Sequence, residues 1–223
     1  CYSGVADIFR LPKFSLSFFR TQIAEGSMLP SGKMPYEVFI PAYRDEILSD
    51  TVMVYGNVDE VELVLNGKTI RRQTADKGPD SDYISVPNGG NGKNLHFPPF
   101  TFYGVPKERG VLKAVGYHQG KKVAEYTVKT PGVPERLDIT YFESGKPATK
   151  NDLLIVYVRM LDKQGVLCPV NGIPVELSVQ GGEIVGPTSY PLEAGVASFL
   201  VRTGEISKIN INAVSYTHLT LPT

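Results

Sequence analysis

Carboxylates, imidazoles and thiols are the groups that could do chemistry here, and in this chain they are scattered. Glu25, Glu37, Glu46, Glu60 and Glu62 fall in segments that read as linkers, strands or turns, and nothing in their spacing assembles an acid/base pair. His96, His118 and His218 share no motif and read as structural or solvent-facing. The two cysteines, Cys1 and Cys168, make no disulfide framework, and neither sits among His or Cys residues at metal-ligand spacing. Cys168 lies in a β-rich stretch and reads as a small buried hydrophobe. The acidic residues form no cluster resembling an oxygen cage for calcium. No catalytic residue, metal ligand or cofactor site is assigned.

Aromatic faces are the remaining candidates, because rings stack on the apolar faces of sugars. His96, Phe97, Pro98, Pro99, Phe100, Phe102 and Tyr103 form the densest group. The alternation of Phe100 and Phe102 is that of a buried strand, so core packing is the favoured reading. The chain has no Trp. Its exposed candidates for sugar contact are Tyr83, Tyr103 and Tyr117, in different loops, which predicts affinity for sugars no tighter than about millimolar, or about 4 kcal/mol.

The elements that must position these side chains are almost all strands. Only residues 4–22 read as a helix: Pro12 suits a first helical turn, and Phe14, Phe18 and Phe19 fall on one side. So short a helix is marginal alone, and nothing downstream reads as a second one, so its expected partner lies upstream of Cys1. A polar, Gly/Pro-rich linker follows at 26–34. Strands are then expected at 38–43, 51–55 and 61–65. Asn66-Gly67 turns the last of these back through Thr69 and Ile70. A surface loop covers 76–94, a buried strand runs through Phe100 and Phe102, and a hairpin pairs 111–115 with 122–128 through 116–120. Residues 130–134 form a rigid, turn-prone connector. Beyond it, strands are expected at 137–141, 153–161, 175–179, 184–185, 196–201 and 209–211, with a turn at 162–165. Short strands at regular spacing broken by Gly and Pro are the sequence signature of an immunoglobulin-like sandwich. The fold class is mainly β: two such sandwiches in tandem, spanning 26–130 and 131–214, after a short helix in 1–25. Residues 215–223 resemble a translated adapter sequence and are set aside as a non-native tail.

Composition removes several classes of function. Lys plus Arg and Asp plus Glu number 23 each, so the net charge that draws proteins to nucleic acid or anionic lipid is absent. No apolar run approaches the roughly 20 residues of a membrane span, and residues 1–20 lack the pattern of a signal peptide.

Three stretches resemble the C-terminal part of a glycoside hydrolase family 2 enzyme of the β-galactosidase type. Gly4-Val5-Ala6-Asp7-Ile8-Phe9-Arg10-Leu11-Pro12-Lys13, continuing through Phe18 and Phe19 to Gln22, is similar to the segment that closes the family's (β/α)8 barrel with its last helix. Asn57 with Val61-Glu62-Leu63 and Asn66-Gly67-Lys68, then 96–102 and 110–120, resemble the sandwich that follows the barrel. Residues 152–165 and Ala194-Gly195-Val196-Ala197 resemble the further immunoglobulin-like domain. The resemblance implies retaining hydrolysis of a terminal β-linked sugar by two barrel glutamates. Those would precede Cys1, so the chain is expected to be a fragment, inactive alone, whose partners are the upstream barrel and the parent's carbohydrate substrate. It leaves an oligomer formed through the parent open and implies a periplasmic or secreted location. The competing readings are an autonomous carbohydrate-binding module and a cell-surface adhesin, and the opening helix speaks against the adhesin.

Overall fold

The computed structural model describes residues 4–23, 36–42, 50–76, 95–142, 145, 147–205 and 209–215, and divides into two compact units, 1–130 and 131–223. Each is an antiparallel sandwich of one three-stranded and one four-stranded sheet.

In the first unit α1 (Phe14–Arg20) precedes β1 (Val38–Phe39), β2 (Val52–Gly56), β3 (Glu60–Leu65), β4 (Lys68–Thr74), β5 (Phe100–Phe102), β6 (Val111–His118) and β7 (Lys121–Lys129). The sheets run β1-β2-β5 and β4-β3-β6-β7. Alternation dictates the inner faces: Val61, Leu63 and Leu65 of β3 meet Val52 and Val54 of β2 and Phe100 and Phe102 of β5 in one core, while Glu60 and Glu62 are left only partly covered. Asn66 and Gly67 take φ of 50° and 79°, the positive pair that a two-residue hairpin turn requires. The next hairpin turns later than its sequence suggests. β6 continues to His118, the turn is Gln119-Gly120, and Gly116 is a strand residue paired with Val61.

The opening segment departs from expectation in two ways. Pro12 does not start the helix. Residues 5–13 fold back on themselves: the Asp7 N–H donates to the Leu11 carbonyl and the Lys13 N–H to that of Val5, both at 3.0 Å. The Asp7 carboxylate accepts the N–H groups of Phe9 and Leu11 at 2.8 Å, offering the backbone an alternative to helix, so α1 begins only at Phe14. The helix also has a partner within its own unit. Phe14 meets Phe39 edge-on with ring centroids 5.6 Å apart, and Phe18 meets Tyr55 at 5.1 Å. No α1 residue is fully buried, and Phe19 remains 58% exposed.

The second unit comprises β8 (Pro134–Tyr141), β9 (Leu153–Asp162), β10 (Pro174–Gln180), β11 (Gly182–Ile184), β12 (Ser189–Pro191), β13 (Val196–Thr203) and β14 (Asn210–Val214). Its sheets run β12-β10-β14 and β11-β13-β9-β8. β9 is central, as its near-continuous apolar run requires, and Arg159 within it is paired with Asp138 of β8. Val156 and Val158 pack with Val175, Leu177, Phe199 and Val201. β12 is not legible in the sequence: Pro191 cannot donate to a ladder and reads as loop, but it is tolerated on a short edge strand. Asp162 pins the start of the unit to the end of β9, accepting the N–H groups of Gly132, Gln164 and Val166. Cys168 is buried, which raises its thiol pKa, with Asp162 adding to the shift. The Ser215 hydroxyl donates to the Pro174 carbonyl, and 216–223 lie outside the described residues.

Candidate functional site

Of the tyrosines singled out for sugar contact, the two described ones lie on or beside strands of different sheets. Tyr83 lies outside the described residues. Tyr103 follows β5 and Tyr117 sits on β6, which belong to different sheets. Tyr117 is already engaged: its hydroxyl donates to Glu62 at 2.7 Å, and the Arg72 guanidinium lies over its ring, 3.8 Å from the centroid. That hydrogen bond raises the Tyr117 pKa, while bonds from Thr69 and Tyr117 hold the Glu62 carboxylate below its ordinary range. Glu60 pairs with Arg72 at 2.6 Å. Glu25, Glu46 and His218 lie outside the described residues. His118 contacts Asp59 at 3.1 Å and stacks on Tyr36, and His96 meets Phe97 edge-on. Among the described residues no three His, Cys, Asp or Glu side chains gather as a metal site would need.

Side chains from separate elements do converge where α1 crosses the sandwich, at a cleft of about 410 Å³ between α1, β1 and β7. Ser17, Arg20, Tyr36, Glu37, Glu125 and Tyr126 contribute to its walls. Two carboxylates there are pulled in opposite directions. Burial raises the Glu37 pKa, with Arg20 partly offsetting it, whereas the bond from Lys122, helped by Lys113, lowers that of Glu125. Acid/base pairs are built from such contrasts, but each of these carboxylates is bound to a cation, Glu37 to Arg20 and Glu125 to Lys122. This is the chemistry of a joint between elements.

Two amides complete that joint. The Gln22 side chain donates to the Phe97 carbonyl at 3.0 Å and accepts the Phe97 N–H at 3.1 Å. Asn57, 2% exposed, donates to the Ile23 carbonyl at 3.4 Å and accepts the Glu37 N–H at 2.7 Å. Sequence reasoning missed this role because Gly56-Asn57 reads as a strand breaker. The available signal was a polar amide set between two strands, whose donors and acceptors must be satisfied once buried.

Comparison with known proteins gives this arrangement its context. Residues 49–124 match a domain of unknown function (DUF4982). A β-galactosidase of Thermoanaerobacter pseudethanolicus is 32% identical over 215 residues, which are 91% of this chain and 27% of that protein. A β-galactosidase of Rhizobium radiobacter is 30% identical over 110 residues, 49% of this chain and 78% of that relative's length. The chain belongs to glycoside hydrolase family 2. A solved β-glucuronidase of this family superposes with a TM-score of 0.72 over 96% of this chain and 22% of its own, at 20% identity, showing the shared fold. Like the Thermoanaerobacter enzyme, that family 2 protein is several times longer than the part this chain matches.

Proposed function

We propose that these residues are the accessory C-terminal sandwiches of a family 2 β-glycosidase that hydrolyses terminal β-linked sugars with retention. The acid/base and nucleophilic glutamates would belong to a (β/α)8 barrel outside this chain, whose last helical segment corresponds to residues 1–25. One observation carries the reading: 91% of the chain is accounted for by 27% of a β-galactosidase. Three glutamates within it are consistent with this, since Glu37, Glu60 and Glu62 are tied to Arg20, Arg72, Thr69 and Tyr117. A periplasmic or secreted location belongs to the same proposal.

The experiment pairs two proteins. The purified chain is assayed on chromogenic β-galactoside, β-glucoside and β-glucuronide substrates, and no turnover above buffer is expected. The Thermoanaerobacter enzyme is then compared without its matching segment and with this chain grafted in its place. Restored solubility and hydrolysis in the graft support the accessory role, while turnover that tracks with the isolated chain through repurification overturns it. The binding-module reading is tested by affinity electrophoresis: micromolar binding lost with Tyr83→Ala, Tyr103→Ala or Tyr117→Ala would replace the accessory role.

A further inference from the structure

The chain passes from the first unit to the second through Thr130-Pro131-Gly132, and it is gripped on both sides of the proline. On the first side Thr130 prolongs the ladder of β6 and β7: its N–H donates to the Gly110 carbonyl at 2.9 Å, and its hydroxyl accepts the Gly110 N–H at 3.0 Å. Gly110 is itself held. The Asn66 amide donates to the Arg109 carbonyl at 3.0 Å and accepts the Val111 N–H at 2.9 Å, gripping the residues that flank it. On the second side the Gly132 N–H donates to the Asp162 carboxylate at 2.6 Å, a bond of the strong, charge-assisted kind. That carboxylate is buried and is fixed in turn by the N–H groups of Gln164 and Val166, each at 2.8 Å. Each anchor therefore lies within its own unit.

Pro131 is the one residue between the anchors, and most of its rotations are already fixed. Its ring holds φ at about −65°, the flanking peptide bonds are planar, and clash with the ring confines Thr130 to extended backbone. The ψ of Pro131 remains. We propose that Thr130, Pro131 and Asp162 form a torsion-limited joint, in which the second sandwich turns against the first about a single backbone rotation. Asp162 is its clasp. The ladder of the second unit starts only at Pro134, and Val133 is 82% exposed, so opening the clasp would add both rotations of Gly132 and of Val133 to the joint. A joint so restricted narrows the orientations the second sandwich visits. A partner that engages both units then meets them with less ordering left to do.

Backbone amide NMR relaxation tests the joint on the chain as it stands, because each unit reports its own tumbling. In the unaltered chain the two units should return rotational correlation times that agree within about 10%. Inserting Gly-Ser-Gly-Ser between Thr130 and Pro131 keeps both anchors whole and should separate the two values, each becoming shorter. Asp162→Asn should speed exchange of the Gly132 amide at least about tenfold and move the correlation times towards those of the inserted chain. Pro131→Gly, which leaves both anchors in place and releases φ of residue 131, should move them the same way and serves if Asp162→Asn unfolds. Separate correlation times in the unaltered chain overturn the joint. A single common time that survives the insertion overturns it too, because the coupling would then lie outside the connector. Gly132 exchange unchanged in a folded Asp162→Asn chain would remove Asp162 as the clasp and overturn the proposal in that form.

Discussion

Gly116→Ala puts the seating of β1 to a quantitative test. Gly116 lies inside β6, and a Cβ there would stand 2.7 Å from Val38 Cγ1 and 3.0 and 3.3 Å from the two methyls of Val58. Val38 is 4% exposed, and the same methyl lies so close to Gly56 of β2 that a Cβ built there would stand 2.9 Å from it, which leaves Val38 little room to shift. The two glycines thus form a slot, one wall from each sheet, into which β1 inserts its first side chain. Overpacking of this kind costs about 1–3 kcal/mol, from which about 0.5–1 kcal/mol is recovered because alanine has less chain entropy to lose than glycine. A net loss of about 1–2 kcal/mol is expected in urea unfolding followed through the first unit. Val38→Ala removes the clashing methyl, so the double variant should be less destabilised than the sum of the singles by about 1 kcal/mol or more. Because the next residue of β1, Phe39, meets Phe14, exchange in α1 should also accelerate. Loss below about 0.5 kcal/mol, or additivity within error, would refute the steric account.

Three further outcomes follow from the electrostatics. Tyr117→Phe removes a donor that holds Glu62 ionised, so the Glu62 pKa read by carboxyl NMR should move back towards its ordinary value; no movement would mean the hydroxyl is not bonded in solution. Asp162 has a lowered pKa, chiefly through the Gly132 N–H, so its stabilising contribution is present above the unfolded carboxylate pKa of about 3.9 and disappears as pH falls through the folded value; urea midpoints of the second unit should drop in that acid range, and Asp162→Asn should flatten this dependence. Glu37 has a raised pKa, so the sign reverses: its contribution is full below about pH 4 and is lost as pH rises through the folded value. Glu37→Gln should therefore gain on the unaltered chain between pH 4 and 7 in thermal melts, and a growing deficit would mean that the Arg20 pair outweighs burial.

The sequence displays the sandwiches where one physical rule governs a stretch. β3 and its turn at Asn66-Gly67 are legible because period-two burial and a positive-φ turn act together on neighbouring residues. β9 is legible because a central strand buries most of what it carries. Readings fail where a distant residue decides. Gly116 reads as part of a turn, and only its pairing with Val61 and the close approach of Val38 and Val58, all far away in sequence, make it a strand residue without a side chain. Pro12 is a local exception: it reads as a helix start, and the nearby Asp7 carboxylate, by taking the Phe9 and Leu11 N–H groups, shows why the helix waits until Phe14. The joint under α1 is illegible for the same reason: Gln22 and Phe97, like Asn57 and Ile23, find each other only after folding.

What the polar side chains do once paired bears on the assignment of chemistry. A carboxyl group that delivers or takes a proton near neutral pH needs a pKa raised towards that range and a free line to the reacting atom. Asp162 and Asp152 are shifted the other way, held ionised chiefly by backbone N–H groups, of Gly132 and of Thr149 respectively. Glu37 is raised, but its oxygen is committed to Arg20 and its backbone to Asn57. In each case the charge fixes one piece of main chain against another, joining a strand end to a turn or a helix to a strand. Such groups lose their role when moved by an ångström, which suits them to holding a strand end or a helix in a set position. The charges of these described residues therefore serve to join elements within each unit.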